Sequence, residues 1–223
     1  MTIPKPAWRR PTRGEHRWPA VLAVVAAIVL QLLLPDQMSF GSRWILPGLE
    51  ALILLILLAA NPFRIDREST VLRVLGIGLA IALTVATALS TFNLVTGIVG
   101  GQFGKDAQPL LATGGSIWLT NVIAFAFLFW EFDRGGPAAR AAGRREHPDF
   151  LFPQMQLPDM ADEAWEPRFV DYLYVAFTNA TAFSPTDTMP LTRWAKLGMA
   201  LQSLVALVTV GLVVARAVNV LGS

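Results

Sequence analysis

The chain has 223 residues, of which 54% are hydrophobic and 15% charged, with a formal net charge of +2 and no cysteine. A soluble domain of this size carries about 25% charged residues to keep its surface in water. Lipid therefore replaces water as the solvent for much of this chain, and disulfides, thiol catalysis and zinc–thiolate sites are excluded.

Residues 1–17 are a polar tail with five basic residues, Lys5, Arg9, Arg10, Arg13 and Arg17. Residues 18–34 are the first apolar run, close to the lower limit of about 17 residues for a membrane span. Trp18 suits an interfacial anchor. The run reads as retained, because Pro35-Asp36-Gln37 follows it where a cleaved signal would carry small residues. Residues 44–60 form the second span and hold one carboxylate, Glu50. An intramembrane carboxylate is a functional candidate by default. Glu50 also lies about 9 Å from Trp44 along a helix, within reach of headgroups or water. Asn61-Pro62 ends this run, since the residue before proline is pushed out of the helical region.

Residues 71–91 form the third span, with Thr84, Thr87 and Thr91 on one face and with Gly78 and Ala82 spaced for close helix approach. Residues 93–115 read as a Gly-rich, nearly uncharged loop, with partial helix at the membrane interface as the alternative. Residues 116–130 form the fourth span, closed by charges, Gly135-Gly136 and Pro137. Residues 18–130 thus make a four-helix membrane region. Residues 131–166 make a cytoplasmic loop, basic over 138–148 and acidic with scattered prolines over 149–166.

Residues 167–223 read as a polar hairpin: a short helix, a Ser184-Pro185-Thr186-Asp187 turn and a final apolar helix over 197–220. Asp171, Tyr174, Thr178 and Thr181 share one face of the short helix, with Asn179 beside them. Gln202, Thr209 and Arg216 share one face of the last helix. Facing stripes of this kind predict either a hydrophilic path or interhelical hydrogen bonding. In the turn, Pro185 fixes one backbone angle while Ser184 and Asp187 bond nearby amides. Asp187 is a candidate cation site, and Thr192 a candidate cap for the last helix.

The fold class is an all-α, polytopic transmembrane bundle of about six segments, the fifth short and polar and either crossing or re-entrant. With six crossings and a cytoplasmic N-terminus, 14 Lys and Arg fall inside and 4 outside, which satisfies the positive-inside rule. Both termini are then cytoplasmic. The pattern over 116–220, with NVIAFAFLFWEFDRGGPAAR, PDFLFPQM and DYLYVAFTNATAFSPTDTMPLTRWAK, resembles an uncharacterised family of bacterial multi-pass inner-membrane proteins. That resemblance implies a bacterial inner-membrane (plasma-membrane) location and transfers no catalytic residues. More distantly, Thr181 to Asp187 with Pro190, Thr192 and the helix after it is similar to the pore helix, filter and inner helix of potassium channels. The two filter glycines are missing here, and Pro185 stands in the middle of the run.

Two functions compete. The first is a channel- or transporter-like pathway for ions or small solutes between the fifth and sixth segments. The second is a structural or accessory membrane protein that binds another membrane protein, or a second copy of itself, through its small-residue faces and the 131–166 loop. An enzyme ranks last, because the sequence has no His/Asp or Ser/His cluster, no phosphate-binding glycine loop and no metal-ligand spacing. No cofactor and no nucleic acid are expected, since topology and anionic lipid account for the arginines.

Overall fold

The computed structural model describes residues 6–36, 42–65, 69–101, 107–182 and 187–221. Among the described residues the fold is all-α apart from one pair of two-residue strands and an isolated bridge between His16 and Arg64. Its elements are α1 (Trp18–Leu33), α2 (Ile45–Ala60), α3 (Thr70–Val99), α4 (Ala107–Phe132), α5 (Pro137–Ala141), β1 (Phe150–Leu151), α6 (Pro153–Gln156), α7 (Phe169–Ala182), β2 (Met189–Pro190) and α8 (Arg193–Leu221). Among the described residues, three stretches are long and apolar enough to cross a membrane: Thr70–Val99, Ala107–Gly135 and Arg193–Val220. The apolar helices α1 and α2 are shorter, at 16 residues each.

Local chemistry explains most boundaries. Pro19 sits in the first turn of α1, where its missing N–H costs nothing. α2 stops at Asn61, before Pro62. Nothing between Asn93 and Val99 breaks a helix, so α3 continues to Val99, and α4 starts at Ala107 with Pro109 in its first turn. The loop expected over 93–115 is therefore mostly helix. α4 ends where the backbone turns left-handed at three successive residues, Arg134, Gly135 and Gly136 (φ 52°, 85° and 94°). Gly136 is favoured for a second reason: a Cβ there would stand 2.9 Å from the Glu131 carbonyl oxygen and run into the Arg73 guanidinium.

α4 is the hub and packs against α1, α3, α7 and α8. Its Phe125, Phe127, Phe129 and Trp130 are buried in the main core with Leu79 and Leu83 of α3 and with Tyr172 and Val175 of α7. Close approach occurs at Gly114, where a Cβ would meet Val213 of α8 at 2.6 Å, while Gly78 has nothing within 4 Å. The small-residue contact thus falls on α4 and α8 and leaves Gly78 in open space.

One end of the bundle is covered by a cap. The tail segment 14–17 pairs with 63–65, through Arg17 N–H to Phe63 O (3.1 Å) and Ile65 N–H to Glu15 O (3.1 Å). Thr12 N–H donates to Ala141 O at 2.8 Å. β1 pairs antiparallel with β2, Phe150 opposite Pro190 and Leu151 opposite Met189. That pairing fixes how α7 and α8 relate. Phe150 touches both Tyr172, near the start of α7, and Trp194, at the start of α8. Asn179 of α7 then meets Met199 and Gln202 of α8. The two helices leave the cap in the same direction, unlike the antiparallel pair that a simple turn would make. The far end of α8 packs with Leu34, Leu94 and Leu110, through Val213 and Ala217.

Candidate functional site

The densest polar chemistry lies in the cap. Glu15 Oε1 accepts from Trp130 Nε1 (2.5 Å) and Arg140 Nη2 (3.4 Å), and its Oε2 accepts from the Phe169 amide (2.8 Å). Asp133 Oδ2 accepts from the Tyr172 hydroxyl (2.5 Å), and its Oδ1 from the Asp149 amide (2.8 Å). Asp149 in turn accepts from the Arg134 amide (2.8 Å) and from Trp194 Nε1 (2.9 Å). Arg140 Nη1 donates to the carbonyls of Trp130 (2.6 Å) and Asp133 (3.0 Å), and its guanidinium lies 5.0 Å from the Tyr172 ring centre. Arg134 donates twice to Arg145 O and lies 5.5 Å from the Trp8 ring centre. Asp133 and Arg134 are 0% and 1% exposed.

Charges this deep are tolerated only when paired and hydrogen-bonded. Burial works against the Arg140 charge, but Tyr172, Glu15, Asp133 and Glu131 more than restore it, so its affinity for the proton is raised. The carboxylates accept from indoles, amides and a phenol drawn from distant parts of the chain. The arrangement stitches the tail, the end of α4, the 145–150 segment and the start of α7 into one body. Sequence reasoning placed Glu15 in a tail and Asp133, Arg134, Arg140 and Asp149 in a loop. The missed signal is the interleaving of aromatics with charges in Trp130-Glu131-Phe132-Asp133-Arg134 and Asp149-Phe150-Leu151-Phe152.

The sequence-predicted polar path divides in two. Asn179 and Gln202 are buried and close on each other: Asn179 Nδ2 donates to Gln202 Oε1 (2.8 Å) and Met199 O (2.9 Å). Gln202 Nε2 donates to Ala176 O (2.8 Å), while Asn121 Nδ2 of α4 reaches Gln202 O at 3.3 Å. Thr209 is buried and bonds back to Val205 O. Arg216 is half-buried near the far end of α8.

Asp171, Tyr174, Thr178 and Thr181 lie on another face of α7, with Tyr174 and Thr181 exposed. Asp171 Oδ2 accepts from the Arg168 amide (2.8 Å) at the start of the helix. Thr178 and Thr181 bond back to the carbonyls of Tyr174 and Phe177. Asp187 is exposed, and Ser184 lies outside the described residues. The Thr192 hydroxyl makes no cap and has no partner among the described residues. No family, no curated protein and no solved structure matches this chain.

Glu50 stands apart from both groups. It is fully buried on α2 where that helix meets α1, and its Oε2 accepts from Gln31 Nε2 at 2.8 Å. Its Oε1 has no protein partner among the described residues. Thr87 shares the buried side of α3 and bonds back to Leu83 O. Among the described residues, no group of three His, Asp or Glu side chains could hold a metal ion.

Proposed function

We propose that the protein is a structural or accessory protein of the bacterial inner membrane, not a conduit. In this reading α1, α2, α3, α4 and α8 cross the bilayer, α7 dips in and ends partway, and the cap lies in the cytoplasm. At 14 residues, α7 reaches about 21 Å, less than a hydrocarbon core of about 30 Å. Placing the start of α8 at the cap puts Arg193 and Lys196 with the arginines of the cap, leaving Arg43 and Arg216 at the other end among the described residues. That assignment strengthens the positive-inside bias. It also puts the C-terminal end of α8 on the side opposite the N-terminal segment.

The observation that carries the reading is the closed Asn179–Gln202 contact, which satisfies the polar groups a path between α7 and α8 would need to leave open. The back-bonded threonines of α7 supply no free donors to the outer face either. What remains for function is a rigid cytoplasmic platform and apolar outer faces, such as Leu197, Leu201 and Leu204 of α8, suited to lipid or to the helices of another membrane protein.

The decisive experiment is ion flux into proteoliposomes. We expect potassium and proton flux through the purified protein to match that of empty vesicles. Selective flux that is lost in Asp171→Asn or Asp187→Asn would instead establish the conduit. Single cysteines at Asp187, Ala142 and Arg43 would check the orientation: the first two should label from one side and the third from the other.

A further inference from the structure

Between the cap and the bundle lies a cavity of about 60 Å³. It is walled by Leu54 and Leu57 of α2, Leu72 of α3 and Phe127 of α4, and Arg17, Asn61, Ser69, Arg73 and Glu131 supply its polar surface. Of the charges, Arg73 and Glu131 answer each other: Arg73 Nη1 lies 2.6 Å from Glu131 Oε2 and also donates to the Glu131 carbonyl. Arg17 shares that carboxylate, since Glu131 also supports its charge. Its Nη1 donates to Leu57 O (2.6 Å), but its Nε has no hydrogen-bond partner among the described residues, and neither does Asn61 Nδ2. Both side chains are more than nine-tenths buried, at 7% and 5% exposure. An unmade hydrogen bond from a buried donor costs about 1–3 kcal/mol, more when the group is charged. Two guanidiniums against one carboxylate leave the wall of the cavity net positive, with an orphaned carboxamide beside them, and such a wall suits an anionic acceptor.

Size and position narrow the class. One water needs about 10–15 Å³ of such space, so the cavity admits a headgroup oxyanion and not a whole lipid. Its edge at Ser69, Leu72 and Ala138 is half-buried, and Arg73 beside them is part-exposed. Phe63, Val71 and Val74 next to that edge are exposed apolar side chains. The opening therefore lies where apolar surface gives way to the charged cap, which is the level of lipid headgroups. We propose that this cavity holds the phosphate of an anionic membrane lipid, with the Arg17 guanidinium and the Asn61 carboxamide at its wall and the acyl chains lying outside along α2 and α3.

The test is thermal unfolding of the full-length protein in detergent, titrated with phosphatidylglycerol, phosphatidylcholine or inorganic phosphate, together with native mass spectrometry for retained lipid. Phosphatidylglycerol should raise the melting temperature and stay bound, and the other two should not. Asn61→Asp keeps the shape of the side chain but replaces a donor with a negative charge. It should weaken phosphatidylglycerol at least about tenfold, the equivalent of about 1.4 kcal/mol. Ala138→Phe should block the opening without touching the buried network, leaving the lipid-free melting temperature unchanged and removing the response to lipid. This second variant reads out the site even where Asn61→Asp fails to fold. Equal stabilisation by the two phospholipids, or an undiminished phosphatidylglycerol response in Ala138→Phe, would overturn the proposal. Inorganic phosphate matching phosphatidylglycerol would overturn the lipid as the source.

Discussion

The cap and the α7–α8 seam both bury polar groups, but they use different chemistry. The cap buries full charges, and its carboxylates are held by several partners from far along the sequence: Glu15 alone reaches Trp130, Arg140 and Phe169. The seam buries neutral carboxamides, and Asn179 and Gln202 bond to each other and to nearby helix carbonyls. A buried charge stripped of its partner keeps its full desolvation cost, whereas a carboxamide pair can be exchanged for apolar side chains at little loss. The cap is therefore where this fold is specified and most easily broken, and the seam is a tolerant joint.

Variants can break or sharpen that contrast. The largest effect belongs to Glu15→Ala, which leaves the Arg140 charge buried and strands the Phe169 amide and the Trp130 indole. We expect a loss of about 3–5 kcal/mol in denaturant unfolding in micelles. A loss below about 1 kcal/mol, the value of an exposed pair, would erase the distinction. Gly114→Leu supplies a packing reference away from both regions. The new side chain meets Val213, and overpacking of that kind costs about 1–3 kcal/mol. At the seam, Gln202→Leu should cost about 1 kcal/mol, and the cycle with Asn179→Ala should return a coupling of about 0.6 kcal/mol. A coupling comparable to the Glu15 loss would make the seam as specifying as the cap. The smallest change is expected for Thr181→Val on the outer face of α7, within about 0.5 kcal/mol by the same unfolding assay.

The sequence made the apolar helices legible, because hydrophobic run length and proline position are local properties. The ends of α1 and α2 follow from Pro19 and Pro62 by that logic. Gly content misled at 93–115: Gly97 and Gly114 are buried in helix contacts, and lipid-facing helices tolerate glycine where water-facing ones do not. The stripe Asp171, Tyr174, Thr178 and Thr181 was visible as a pattern. Its threonine hydroxyls can bond within their own helix, so the pattern could not say which way it faced. The residues at the seam, Asn179 and Gln202, were visible as polar positions but not as partners. The cap was invisible for a different reason. Its contacts join Glu15 to residue 169 and Asp133 to residues 149 and 172, and no local period encodes pairings that distant. The direction of α8 was hidden in the same way, because it depends on a strand pair only two residues long.

That strand pair has a practical consequence. β1 belongs to the cap and β2 leads directly into α8, while the chain between β1 and α7 runs through the exposed residues Gln156, Pro158, Asp159 and Met160. Continuity of the chain at that point contributes little to holding α7 and α8 in place. The β1–β2 pairing, the Trp194–Asp149 bond and the packing of both helices on α4 already do so. A gene divided after Met160 should yield two fragments that find each other when made together in the same membrane. The molecule would then work as a split reporter, its halves rejoined by a cap that neither carries whole.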